Sequence, residues 1–364
     1  MPKKHRRVAS IAVSLTAVGV AILLTAIFVD AWRYPDTPND LAGGQVEVTL
    51  RRGMRFPEIV DDLAARGAVK RPAYFRLYAN LTGKAHKVRA GHYVLDRRMT
   101  PRELLDRLVQ GVKEEELQVT IPEGKNMLEV VEILADAGVS PAEELLARVR
   151  DSAFAASFGI RANSLEGYLF PDTYRFRPKT PANKALGVLV KRHRQVFEDV
   201  RSRHPEGVEA LRTKYKLSDR DIVTLASIVE KETGRPEERP RVASVYLNRL
   251  NFPGFKPRLL QADPTIIYGC VVPLKKSRAC QKFEGRIRRI HLVDAENPYN
   301  TYVHEGLPPG PIANPGRAAI EAVFAPEQTT YLYFVSRNDG THAFSRTEAE
   351  HLANVRRYQL GGGN

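Results

Sequence analysis

At 364 residues the chain is long enough for two or three domains, and 43% hydrophobic with 8% aromatic residues is the make-up of soluble globular material. A formal charge of +14 suits nucleic acid, a membrane surface or an anionic polymer equally, so charge alone selects no partner. The two cysteines, Cys270 and Cys280, lack the further short-spaced Cys or His ligands that a zinc site needs, which leaves a disulfide as the expectation.

The first thirty residues bear on compartment. Lys3, Lys4, Arg6 and Arg7 precede an uncharged stretch, 8–29, whose length at about 1.5 Å per residue spans a hydrocarbon core of roughly 30 Å. Residues 1–7 therefore read as a cytoplasmic tail and 8–29 as a single transmembrane helix. The helix is expected to be retained, because Phe28-Val29-Asp30 makes a poor signal-peptide cleavage site. Trp32 and Tyr34 fall where an outer interfacial belt would lie, and the basic tail stays inside. The chain beyond the helix is expected to be exported, which excludes nucleic acid as a partner and lets a Cys270–Cys280 bridge persist.

Residues 30–45, with Pro35, Pro38, Gly43 and Gly44, read as a linker. A repeat begins beyond it. At an offset of 71 positions Gly53, Glu58, Val60, Leu63, Ala64 and Gly67 recur as Gly124, Glu129, Val131, Leu134, Ala135 and Gly138, and each copy reads strand, glycine turn, amphipathic helix, glycine stop. Between the copies the pattern predicts a helix over 74–81 and a strand over 88–95 broken by Gly91. A further helix should open on the capping box Thr100-Pro101-Arg102-Glu103 and end near Gly111. Further helices are expected over 141–158, 183–200 and 218–233, the last two separated by a polar stretch around Pro205. Asn338-Asp339-Gly340 predicts a hairpin turn, with a last helix from Thr347. Strands and helices mix without regular βαβ alternation, so the fold class is α+β.

The informative segment runs from Asp221 to Gly234. At about 100° per residue, Ile222, Leu225, Ala226 and Val229 centre on one face; Glu232 lies about 60° from that centre and Glu230 about 100° on the other side. The wheel thus makes Glu232 the more buried carboxyl. A carboxyl against apolar surface holds its proton near neutral pH and can donate it to a glycosidic leaving group. The competing reading is two solvated glutamates at a helix end stopped by Gly234.

Four stretches decide between these. Leu225–Thr233 (LASIVEKET) continuing to Arg241–Leu250, then Glu166–Tyr174, then Leu260–Thr265, and finally Tyr299–Tyr302 with Gly306–Gly316 together resemble the MltG-type, or YceG-like, endolytic murein transglycosylases. The resemblance implies that Glu232, the second glutamate of the Glu-Lys-Glu-Thr run, is catalytic; Glu230 beside it is a candidate supporting carboxylate. It also implies a LysM-like domain over 46–113 and a lysozyme-related α+β catalytic domain over 114–360. Residues 270–281, with Lys275, Lys276 and Arg278, look like an insertion in that domain. Gln261, Asp263, Asn300 and Tyr302 are expected to contact substrate, as polar groups beside Pro- and Gly-fixed backbone; Glu166 and Asp172 are expected to pin loops.

The expected activity is cleavage of the MurNAc–GlcNAc bond within nascent glycan strands to leave 1,6-anhydro ends, without cofactor or metal. The expected partners are peptidoglycan glycan strands, the cytoplasmic membrane and peptidoglycan synthases such as penicillin-binding proteins. A muramidase hydrolysing the same bond, with Glu232 and either Asp263 or Glu230, stands as one alternative. A non-catalytic, membrane-tethered glycan-binding scaffold stands as the other. No phosphate-binding glycine loop, His-Glu-x-x-His helix or Gly-x-Ser-x-Gly elbow is present, and His291, His304, His342 and His351 lack metal-ligand spacing.

Overall fold

The computed structural model describes residues 3–112 and 116–360, with side chains from Val18 onward. The start of the expected tail, residues 1–2, and the expected domain boundary at 113/114 lie outside the described residues. The chain divides into two compact units, Met1–Glu114 and Glu115–Asn364.

The first unit begins with α1 (Lys3–Arg33). Its stretch Val18–Asp36 is long and apolar enough to cross a membrane and is almost wholly exposed. Then come β1 (Gln45–Leu50), α2 (Phe56–Ala65), α3 (Pro72–Leu81), β2 (Gly91–Asp96) and α4 (Pro101–Gln110). β1 and β2 pair antiparallel with Val48 opposite Tyr93, and their inward residues Val48, Leu50, Tyr93 and Leu95 share a core with Leu63, Phe75, Leu104 and Leu108. The expected strand over 88–95 starts at Gly91 instead of being broken there. The Thr100 box forms: its hydroxyl accepts from Glu103 N at 3.2 Å and Glu103 accepts from Thr100 N at 2.9 Å. The linker is not a free spacer, because Tyr34 is buried in this core, 5.3 Å from the Tyr74 ring, and Arg71 lies 3.8 Å over Tyr74.

The second unit opens with β3 (Leu117–Thr120), α5 (Met127–Asp136), α6 (Ala142–Val149), α7 (Ser152–Ser157) and β4 (Thr173–Phe176). β3 and β4 pair antiparallel, Thr120 opposite Thr173. The predicted repeat has its counterpart here: Gly53 and Gly124 turn the chain between strand and helix at φ 87° and 73°, and Gly67 and Gly138 stop the helices at 76° and 73°. Next are α8 (Ala182–Arg203), α9 (Pro205–Thr213), α10 (Asp219–Glu232), α11 (Arg239–Asn251), α12 (Asp263–Val271), α13 (Arg289–Leu292) and α14 (Arg317–Phe324). The hairpin β5 (Tyr333–Ser336) and β6 (His342–Ser345) and the helix α15 (Glu348–Val355) complete the unit. The polar stretch around Pro205 is α9, with Pro205 at its first position where a missing N–H costs nothing.

The centre of this unit is α10. Every residue from Ile222 to Glu230 is buried, because α11, α12 and α14 all pack on it. A helix enclosed on all sides must satisfy its polar side chains internally. Thr224 and Ser227 do so, donating to the carbonyls of Arg220 at 2.8 Å and Thr224 at 2.7 Å.

One buried network ties distant segments of this unit together. Glu166 accepts from the first N–H of α5, Met127 N, at 3.0 Å, and from Asn314 Nδ2 at 3.2 Å. Asn314 in turn accepts from Leu169 N at 2.8 Å and donates to Lys125 O at 2.9 Å. Burial pushes the Glu166 carboxyl up to about 8, against the pull of the Met127 N–H. Asp172 pins its own loop, accepting from Thr173 N and from Arg192, both at 2.8 Å. Asn314→Ala leaves the buried Leu169 N–H without its acceptor and the Glu166 carboxyl with one donor fewer, so a loss of about 2–4 kcal/mol in chemical denaturation is expected, at unchanged m-value.

Candidate active site

α10 delivers Glu232 as its last residue. The helix starts on a Ser218–Asp221 capping box, and the chain leaves it at Thr233 in an extended conformation, φ −140°. The residues of the Glu-Lys-Glu run then part company. Glu230 turns inward and meets Arg239 at 2.7 Å and Gly316 N at 3.0 Å; Lys231 donates to Gly124 O at 3.2 Å. Glu232 alone faces an open cleft of about 400 Å³.

The ordering read from the helical wheel holds at the carboxyl, which is the more fully desolvated in Glu232, and reverses for the side chain as a whole. Glu230 is the more buried side chain, at 4% exposure, because Arg239 and the backbone at Gly316 cover the side of α10 that a single-face wheel assigns to solvent. Glu232 is partly exposed, but its Oε1 is sealed from water and has no hydrogen-bond partner among the described residues. Burial pushes its carboxyl up to about 7. The Tyr246 hydroxyl pulls that value down by hydrogen bonding, the charge of Asp263 pushes it up and that of Arg249 pulls it down.

Three of the expected substrate contacts line the same cleft: Gln261, Asp263 and Tyr302. Tyr302 donates to Asp263 Oδ1 at 2.6 Å, which orients the carboxylate at the start of α12. Gln261 has φ 53°, a left-handed conformation that costs a non-glycine residue about 1–2 kcal/mol. It is held there by its N–H to Thr301 O at 3.0 Å, while the next amide, Ala262 N, reaches Thr301 Oγ1 at 3.0 Å.

Asn300 does not line the cleft. It is completely buried; its Nδ2 serves the carbonyls of His291, Leu292 and Asp294 at 2.9–3.2 Å, and its Oδ1 accepts from Tyr302 N at 3.0 Å. A side chain so engaged has no capacity left for a sugar hydroxyl. Its place is behind Tyr302, fixing the loop that presents the phenol.

The rest of the lining comes from residues that carried no site expectation at the level of sequence: Arg249 on α11, Tyr333 and Phe334 on β5, and Glu348, His351 and Leu352 on α15. Arg249 is 6% exposed and donates to Leu332 O at 2.6 Å and to Leu260 O, between the rings of Phe255 and Tyr333. Burial lowers its proton affinity while the Tyr246 hydroxyl raises it. His351 stacks on Tyr333 at 5.2 Å between ring centroids, with its Nδ1 buried and unpartnered among the described residues. Burial and the charge of Arg249 depress its protonation. Arg249 lies inside the Arg241–Leu250 stretch of the resemblance, which was a sequence signal; the α15 residues carried none.

The arrangement can hold a proton on Glu232 in a cleft bearing one compensating cation and two further carboxylates, Asp263 and Glu348. Its thermodynamic signature has a definite sign. Because the folded carboxyl is raised from an ordinary 4.5 to about 7, ionisation works against folding above pH 4.5, with the full cost reached above about 7. Glu232→Gln is therefore expected to be more stable than the parent at pH 8, by at most about 3 kcal/mol, with the advantage gone at pH 4; thermal melts across that range check it. Gln261→Gly is expected to melt no lower than the parent, since relief of about 1–2 kcal/mol of strain offsets glycine's added entropy of about 0.5–1 kcal/mol, yet to lose activity with the side chain. A clear drop in its melting temperature would assign Gln261 a purely structural role.

Comparison with known proteins places this geometry. The chain is 29% identical over 321 residues to an endolytic murein transglycosylase of Bacillus subtilis, an alignment covering 84% of this chain and 82% of that protein. It is 26% identical over 348 residues to an endolytic murein transglycosylase of Streptococcus pneumoniae, covering 85% of this chain and 58% of that longer protein. A crystal structure of a yceG-like protein from Listeria monocytogenes superposes with TM-score 0.53 at 26% identity, covering 85% of this chain and 98% of that one. The model of the YceG-like family matches residues 48–357, nearly all of the chain beyond its N-terminal helix, and the chain belongs to that family.

Proposed function

We propose that the chain is an endolytic murein transglycosylase, cleaving peptidoglycan glycan strands, with Glu232 as its acid and base. The observation that carries the proposal is the buried, unpartnered oxygen of Glu232 on a carboxyl that holds its proton near neutral pH at the wall of an open cleft. Family membership and the murein transglycosylase relatives support the same reading. In the reaction Glu232 protonates the glycosidic oxygen leaving C1 of the muramic acid unit. Now anionic, it takes the proton of that sugar's own C6 hydroxyl as the hydroxyl attacks C1, closing a 1,6-anhydro ring without water. One carboxyl thus serves both steps. The negative charge of Asp263, oriented by Tyr302, faces the positive charge that develops at C1, and the Gln261 side chain offers hydrogen bonds to sugar hydroxyls. Glu230 supports the helix end and takes no proton.

The N-terminal span would hold the enzyme in the cytoplasmic membrane with its basic end inside, so that the cleft works on strands close to where the synthases extend them. Residues 46–113 are read as a LysM-like unit from their strand–helix–helix–strand order, and 114–360 as the catalytic domain. Asp263 also supports a second reading, in which it acts with Glu232 to hydrolyse the bond through water. Mass spectrometry of muropeptides released from purified sacculi separates the two. Anhydro ends from the parent and none from folded Glu232→Gln are expected, whereas ends heavier by one water would assign a muramidase. Sacculus binding without cleavage by either protein would leave only a glycan-binding scaffold. Cleavage is also expected to decline as pH rises through about 7, because the acid must start protonated.

A further inference from the structure

Residues 271–293 concentrate the basic character of the chain. They carry seven basic residues against one acidic residue, Glu284, a net +6 out of the chain's +14. The segment is built, not loose. Cys270 and Cys280 are joined by a disulfide, and with Ile266 they form a small core against which Phe283, Ile287 and Leu292 pack. Within it His291 accepts from Arg288 N at 2.9 Å, and Ser277 bonds to Asp294.

What this core presents outward is a mixture. Val271, Leu274, Ile290 and Val293 are 43%, 80%, 58% and 65% exposed, interleaved with exposed Lys275, Lys276, Arg278, Lys282, Arg286 and Arg289. None of those six cations forms an ion pair among the described residues, while Arg288 pairs with Glu284 at 2.7 Å. A hydrated polyanion needs only the cations and gives the aliphatic side chains nothing to bury against. A bilayer interface takes both: cations among anionic head groups, aliphatic side chains at the acyl boundary.

We propose that the stapled segment 271–293 docks on an anionic lipid surface, with Leu274 entering the interface and Lys275, Lys276 and Arg278 on the head groups. The inference rests on the N-terminal helix being a membrane anchor, since tethering keeps this weak site within reach of the bilayer. Docking has a mechanical consequence for the cleft. The segment leaves one end of α12 and Asp263 stands at the other, eight positions or about 12 Å away along the helix axis. A docked segment therefore fixes the height of the cleft above the membrane.

Trp32 is the sole tryptophan of the chain, so two reporters can be read separately. The full chain is reconstituted into phosphatidylcholine vesicles with brominated acyl chains, with and without phosphatidylglycerol. Trp32 reports the anchor in the parent, and Leu274→Trp in a Trp32→Phe background reports the segment. Quenching of the Leu274 reporter only when phosphatidylglycerol is present is the expected result. Lys275→Gln, Lys276→Gln and Arg278→Gln together should shift the docked-to-free ratio about 100-fold, each cation near such a surface counting for about fivefold. A quenched Trp32 beside an unquenched Leu274 reporter overturns the docking, and equal quenching in pure phosphatidylcholine overturns its electrostatic basis. Release by soluble glycan fragments would reassign the segment to the polymer. If neither reporter is quenched, the anchor reading fails and docking falls with it.

Discussion

The Glu230–Arg239 ion pair is the contact on which the geometry of the site rests. Its side chains are 4% and 6% exposed, 2.7 Å apart, and each holds more than the other. Glu230 also accepts from Gly316 N at the start of α14, and Arg239, opening α11, also reaches Glu123 in the turn after β3 at 3.4 Å. Three segments far apart in sequence thereby converge on the last turn of α10. A Cβ at Gly316 would push the Glu123 carboxylate out of this junction. Burial pushes the Glu230 carboxyl up, and the Gly316 N–H and the Arg239 charge draw it back. Such a pair adds little over a well-packed apolar contact, but breaking it leaves a buried charge at a cost of about 3–5 kcal/mol. Its value is placement: with Glu230 and Lys231 committed to structure, the next residue must face the cleft.

That division of labour explains how the two glutamates that flank Lys231 come to sit in different surroundings. Glu230 is neutralised by a partner it never leaves, whereas Glu232 lacks one at Oε1 and keeps its proton to relieve the cost. Asp263 and Arg249 act on it with opposite sign, so the proton affinity of Glu232 is a balance between them on top of its burial. Tyr302 and Tyr246 set the two arms of that balance, one by holding Asp263 and the other by hydrogen bonding toward Glu232 itself.

Local signals in the sequence were well expressed in the fold. The glycine-flanked repeat, the capping box at Thr100, the helix start at Thr347 and the Asn338-Asp339-Gly340 turn each depend on a few neighbouring residues, and each has its counterpart. Features that depend on packing were not legible. A wheel assumes one buried face, but α10 has none exposed over Ile222–Glu230, so the covering of the Glu230 side chain was not foreseen. α9 looked polar because it buries only Leu211. Tyr34 looked like linker because the aromatic and guanidinium groups that receive it lie some forty positions further on. In the cleft, Gln261, Asp263 and Tyr302 sat in motifs with restricted backbone, whereas Asn300, in the same motif, spends its side chain on the loop. His351 and Glu348 lie on an ordinary amphipathic helix, where nothing local distinguishes a cleft residue from a surface one.

Half of the residues that line the cleft come from β5 and α15, about a hundred positions after Glu232 in the chain. A polypeptide emerging from its N-terminus therefore completes the acid, its helix and most of the surrounding core while the cleft is still half-built. Only when the final hairpin folds back, with His342 engaging Glu238 at 2.7 Å just beyond α10, is the lining complete. The cleft around Glu232 is therefore a long-range construction: a chain lacking β5 and α15 would keep α10 but lose much of the lining.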